Sequence, residues 1–330
     1  MVQPKHFYPY VAFVFMLLGL GILGNAASAA SSDFILNMSP LSPKPGEIFG
    51  VTAQSFQFDT AQANFRWLLD GKEIASGTGI IRQSFTMGPL GDSGTIRAIA
   101  TSADGDVYDA SIKASGNEID IIVAPRTSVP ALYPGAALPT SGSIVEINAM
   151  PHLFLNGSRL NHRNLFYEWS VDGEPVNDQS GKGKSRLIIK LASLGNVEHR
   201  VDLVARSENG AASTQKSTRI KSVNPEIVFY QRSALTGKKP IALFDFAART
   251  GQSLSVIAEP YFFDLATLPT IIGTWIANGR VVPRETGQDS RILQLAIPED
   301  TSTYAALLFR FEDKTNVFQR ARNNLIITAE

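Results

Sequence analysis

Stretches of the chain alternate apolar and polar side chains with a period of two and then stop at the same turn signal. Leu165, Tyr167 and Trp169 fall on one face with Glu168 and Ser170 on the other, while Phe65, Trp67 and Leu69 stand opposite Arg66 and Leu68. A period of two is that of a half-buried strand. Each tryptophan is followed by Asp70-Gly71, Asp172-Gly173 or Asn278-Gly279, pairs that tolerate the positive φ of a two-residue type I′ hairpin. The tryptophans stand at 67, 169 and 275, spacings of 102 and 106 residues. Self-similarity at one domain length outweighs any single motif.

Further landmarks keep the same order. Upstream of each tryptophan lie Gly46, Val51 and Ala53; Gly142, Ile147 and Ala149; and Gly251, Val256 and Ala258. Downstream, Ser185-Arg186-Leu187-Ile188 aligns with Ser290-Arg291-Ile292-Leu293, with Ile80 to Met87 as the looser equivalent. Ser102-Ala103-Asp104-Gly105 and Ser207-Glu208-Asn209-Gly210 end alternating strands such as Val201, Leu203 and Ala205. Short strands closed by turns, without helical periodicity, predict β-sandwiches.

A tryptophan in mid-strand followed by an Asp/Asn-Gly hairpin resembles the C strand and C–C′ turn of immunoglobulin-like domains. The chain is similar to exported bacterial proteins built of tandem immunoglobulin-like (PKD-like) domains, some of which accompany surface pili. It departs from antibody domains in having no cysteine, and from typical PKD repeats in lacking their acidic tryptophan motif. The resemblance implies an all-β chain of three tandem immunoglobulin-like sandwiches whose cores hold by packing around Trp67, Trp169 and Trp275. The expected divisions are 33–123, 124–222 with a proline-rich lead-in, and 223–330.

Composition narrows the function. Lys plus Arg and Asp plus Glu both total 30, so no field of one sign favours nucleic acid. Absence of cysteine removes disulfides, thiolate metal sites and cysteine nucleophiles together. Lys5 and His6, an uncharged run from Phe7 to Gly24, and Ala27-Ser28-Ala29 predict a signal helix over residues 1–29, cleaved on export, with an uncleaved anchor as the alternative.

Candidate chemistry is sparse. His152, His162 and His199 are not spaced as ligands on one element. Ser180 to Ser185 lacks the first glycine of a phosphate loop, because position 178 is Asp178. Leu138 to Gly142 resembles a sortase signal with the wrong fourth residue, and Asp104, Asp106 and Asp109 fit a solvated hairpin better than a calcium loop. No catalytic, cofactor or metal constellation emerges, and the chain is expected to be non-enzymatic.

What the repeats do not share is where function is expected: the proline-rich segment from Ala124 to Gly142, the long loop from Pro151 to Leu165, and Pro260-Tyr261-Phe262-Phe263. The prolines predict a stiff joint between the first two units, with a packed edge strand within the second unit as the alternative. Consecutive aromatics on a strand cannot all face one core, so at least one of Tyr261, Phe262 and Phe263 is expected to point outward, which would suit contact with a partner; a plug at the sandwich end is the favoured reading, because the matching loops hold Phe56 and Phe58, and Leu153 and Phe154. The expected role is a semi-rigid extracellular or envelope spacer that presents loops to a protein partner, in a surface filament or its assembly. A carbohydrate-binding or substrate-docking module, with a glycan partner, is the alternative. Membrane contact is confined to the N-terminal segment if it stays uncleaved.

Overall fold

The computed structural model describes residues 33–131, 133–193, 197–233, 235–284, 287–299 and 304–329. The segment 1–29 expected to direct export lies outside them. Core residues gather in three groups, from Phe34 to Ala114 around Trp67, from Ile119 to Ile220 around Trp169, and from Ile227 to Ile327 around Trp275. The chain is all-β.

The first unit holds β1 (Phe34–Ser39), β2 (Ile48–Ser55), β3 (Asn64–Leu69), β4 (Lys72–Thr78), β5 (Arg82–Thr86), β6 (Ser93–Thr101) and β7 (Val107–Ser115). They form one sheet in the order β1-β2-β5 and another in the order β4-β3-β6-β7. In the second unit β8 (Glu118–Pro125), β9 (Ile144–His152) and β15 (Arg186–Lys190) make the smaller sheet. A hairpin of β10 (Phe154–Leu155) and β11 (Ser158–Arg159) precedes the larger sheet of β12 (Phe166–Val171), β13 (Glu174–Pro175), β14 (Gly181–Lys182), β16 (Glu198–Arg206) and β17 (Ser213–Lys221). The third unit repeats the plan. Its smaller sheet has β18 (Glu226–Ser233), β19 (Gly237–Leu243), β21 (Ser253–Tyr261) and β24 (Ile292–Ala296). Its larger sheet has β20 (Asp245–Ala248), β22 (Gly273–Ala277), β23 (Arg280–Val281), β25 (Tyr304–Glu312) and β26 (Arg320–Ala329).

The repeated residues do repeated work. Asp70, Asp172 and Asn278 take φ of 50°, 53° and 46°, and the glycines after them 82°, 88° and 80°, which is the type I′ turn. Each turn residue also clamps its hairpin to the neighbouring strand. Asp70 Oδ1 accepts the Thr95 N–H at 2.8 Å, Asp172 Oδ1 that of Arg200 at 2.8 Å, and Asn278 Oδ1 that of Ala306 at 2.9 Å. The tryptophans are 0%, 2% and 5% exposed. Trp67 Nε1 donates to the Ile80 carbonyl at 2.7 Å and Trp169 Nε1 to that of Lys184 at 2.9 Å, whereas Trp275 Nε1 has no acceptor among the described residues.

The glycine-containing loops after the first two hairpins are shaped by the same contact. Gly183 N–H donates to the Leu165 carbonyl at φ +72°, and a Cβ there would lie 3.1 Å from the Arg163 carbonyl oxygen. Gly79 meets Ala63 and Ala61 in the same way. The phosphate-loop-like Ser180 to Ser185 is thus a strut beneath Trp169.

Several sequence expectations are corrected. The first unit ends at β7, because β8 pairs along its length with β9 and carries Ile119 into the second core. The boundary at 123/124 therefore moves to Gly116–Asn117. The two downstream motifs align one residue out of step: the Ala149 N–H donates to Ser185 O and the Ala258 N–H to Arg291 O, so Ser185 matches Arg291 rather than Ser290. Leu69 is 36% exposed and Leu68 is 9% exposed, for the ladder to β4 carries a bulge between Trp67 and Leu68 and Leu69 ends the strand.

Candidate functional site

Two of the three segments the repeats do not share, the proline-rich segment and the aromatic run, converge. Instead of linking the first two units, the proline-rich segment leaves β8, stays within the second unit and packs against the third. The Thr127 backbone forms an antiparallel bridge with Asp264. Around it the Ser128 N–H donates to Phe263 O at 2.7 Å, the Phe262 N–H to Ser128 O at 2.6 Å, and the Leu265 N–H to Arg126 O at 3.0 Å. The Ser128 hydroxyl accepts the Phe263 N–H at 3.1 Å.

This short ladder decides the fate of the aromatic run. Phe262 takes φ of 62°, an uncommon value for a bulky side chain, and so breaks the strand alternation after Tyr261. Phe263 enters the third core, its ring 5.0 Å from Phe311 and nearly perpendicular to it. Tyr261 and Phe262 turn to the proline-rich segment, where Tyr133 meets them edge-on at 5.3 Å and 6.2 Å. The three are 8%, 5% and 0% exposed, so the expectation that one points outward is not met. A second chain segment, invisible to strand alternation, covers them. The Tyr261 hydroxyl bonds that of Tyr230 at 2.5 Å, and burial with this bond pushes its pKa upward.

A polar seam completes the joint. Gln319 is fully buried; its Nε2 donates to Thr140 Oγ1 at 2.9 Å and Ser141 O at 3.0 Å, and its Oε1 accepts the Asp264 N–H at 2.7 Å. The Val223 N–H donates to Pro139 O at 2.8 Å, so Leu138 to Gly142 is built into the seam. Asp264 is 6% exposed, and its Oδ1 has no partner among the described residues. Burial raises its pKa.

The third unshared feature, the loop from Pro151 to Leu165, faces the first unit. Phe154 lies against Gly91, where an added Cβ would approach the ring to 3.0 Å. Asn117, 2% exposed between β7 and β8, accepts the Phe154 N–H at 2.9 Å, and its carbonyl accepts the Thr214 hydroxyl at 3.3 Å. A repeat-based reading misses Asn117 because it falls between units; the signal was a two-residue gap separating alternating strands.

The histidines are scattered. His199 Nδ1 lies 2.7 Å from Asp172, and His152 contacts Asp120 and Arg159. The His199 contact is the chief cause of a lowered Asp172 pKa, joined by the Arg200 N–H. Among the described residues no three His, Asp or Glu side chains gather as metal ligands.

No family profile and no curated protein sequence matches the chain. Solved structures with similar domain strings do. The three N-terminal domains of the bacteriophage RB49 Highly Immunogenic Outer Capsid protein are 12% identical over 90% of this chain and 98% of that one, with a TM-score of 0.25. The central fibronectin-III array of RIM-binding protein is 13% identical, covering 89% and 94%, with a TM-score of 0.31. The Bacteroides ovatus glucan-utilisation protein SGBP-B, solved with a mixed-linkage heptasaccharide, is 10% identical over 89% and 70%, with a TM-score of 0.24. Its own sheets and cores make the chain a tandem of three β-sandwiches. At these identities and scores neither fold nor binding property is carried across to this chain.

Proposed function

We propose that the chain is an exported, non-catalytic interaction protein that acts as a semi-rigid spacer outside the cytoplasm and contacts a protein partner. The observation that carries this reading is the joint of the second and third units, where Gln319, Thr140, Ser128 and Phe263 are all buried. A buried, hydrogen-bonded seam resists bending, in contrast to the mobile linkers usual between domains. The glycan reading loses its support, since the aromatics that would have offered a stacking platform are covered from within the chain.

The test joins export to stiffness. Cells producing the full chain are fractionated, and the exported form is purified for N-terminal sequencing and small-angle scattering. A chain that begins after Ala29 and scatters with its last two units as one body is expected. Retention in the cytoplasm, or scattering that demands free motion between those units, would overturn the reading.

A further inference from the structure

The same sheet occurs three times, and its outward face can be compared position by position. The residue after the tryptophan is Leu68, Ser170 or Ile276; across the ladder it meets Arg97, Asp202 or Leu308, and beyond that Ser111, Ser217 or Asn324. The residue before the tryptophan is Arg66, Glu168 or Thr274, facing Ile99, Val204 or Arg310 and then Asp109, Gln215 or Arg322.

In the first two units this face is laced with opposite charges. Arg97 pairs with Asp109 at 2.6 Å and Arg66 with Glu73 at 2.8 Å, while Arg206 pairs with Glu168 at 2.8 Å and Arg200 with Asp202 at 2.9 Å. The third unit breaks the rule twice. Its central row is aliphatic, Ile276 and Leu308 flanked by Val281, which is 65% exposed, with Ile326 nearby at 41%. Next to that row Arg310 and Arg322 stand directly opposite each other on antiparallel strands, both exposed and without an ion pair among the described residues.

Like charges directly opposite in a ladder are destabilising, and folding gains nothing from them. Two unmatched guanidinium groups beside an aliphatic row complement a surface that brings carboxylates beside apolar side chains. The row is aliphatic rather than aromatic, which suits protein side chains and offers no flat ring for a sugar. We infer that the outward face of the β23-β22-β25-β26 sheet docks a protein segment whose apolar residues cover Ile276, Leu308 and Val281 while its carboxylates pair with Arg310 and Arg322. This rests on the reading that the chain contacts a protein partner.

The test places a photo-crosslinking benzoylphenylalanine at Leu308 of the full chain in producing cells, with the same group at Ile99 on the first unit as the comparison. An adduct at Leu308 is expected, mapping by mass spectrometry to a polypeptide segment of apolar residues flanked by Asp or Glu. Arg310→Glu should reduce its yield by about tenfold or more. The same substitution sets an opposite charge against Arg322, so thermal stability should hold or rise; a purely structural arginine would move both readouts downward together. Adducts at Ile99 alone would overturn this face while leaving the spacer reading intact. Adducts to a second copy of the chain or to polysaccharide, or a yield indifferent to Arg310→Glu, would also overturn it, and no adduct at either position counts against both readings.

Discussion

Gln319 of the third unit donates its side-chain amide to the Thr140 hydroxyl of the second at 2.9 Å, across 179 residues of sequence. Its oxygen simultaneously accepts the Asp264 N–H, so one fully buried amide ties the proline-rich segment to the end of the aromatic run. Removing it strands buried partners at both ends, and each stranded group costs about 1–3 kcal/mol. Gln319→Leu should therefore lower stability by about 2–4 kcal/mol and split a shared unfolding of the second and third units into separate steps. Urea denaturation followed by hydrogen exchange resolves the two, and an unchanged midpoint would count against the seam as the joint.

Tryptophan at one core position is used in two ways. Trp67 and Trp169 each donate a hydrogen bond to a loop carbonyl, whereas Trp275 finds no acceptor among the described residues. Replacement by phenylalanine removes indole volume everywhere but a hydrogen bond only in the first two units. Trp169→Phe should then cost about 1 kcal/mol more than Trp275→Phe. Equal losses in calorimetry would show that the bond contributes nothing.

The hairpin clamp separates the roles of side chain and backbone. The third unit makes with Asn278 the bond that the second makes with Asp172, at the same positive φ. Asp172→Asn should change stability by less than about 1 kcal/mol, because asparagine keeps the acceptor and tolerates the left-handed conformation. Asp172→Ala loses both and should cost about 2 kcal/mol. The comparison is made at pH 7 by chemical denaturation, and two equal effects would refute the assignment.

Two buried or paired carboxylates oppose each other in their pH dependence. His199 and the Arg200 N–H hold the Asp172 pKa below its ordinary value. Its contribution is present above the unfolded carboxylate pKa of about 4 and is lost as pH falls through the lower folded value. Burial raises the pKa of Asp264, so its contribution is greatest below about pH 4 and is lost as pH rises through the folded value. Asp264→Asn should thus stabilise the joint at pH 7 and have little effect near pH 3. A benefit that persists undiminished into acid would contradict burial of the carboxylate as its cause.

What the sequence by itself determined is local. Strand alternation and the Asp-Gly and Asn-Gly pairs depend on neighbours within a few residues, so Trp67, Trp169 and Trp275 and their hairpins were legible from the chain alone. The Ser-Arg motif downstream of the tryptophans slipped by one because Ser-Arg recurs in composition while register is set by a partner strand. The joints were beyond local reading. Whether Tyr261, Phe262 and Phe263 faced solvent depended on Ser128 and Tyr133, more than 120 residues earlier, returning to cover them. Nor could spacing alone reveal that Arg310 faces Arg322, since a cross-strand neighbour exists only once the ladder has chosen its register. Turn chemistry fixed the three sandwiches; long-range pairing decided where the proline-rich segment belongs and which face was left with unmatched charge.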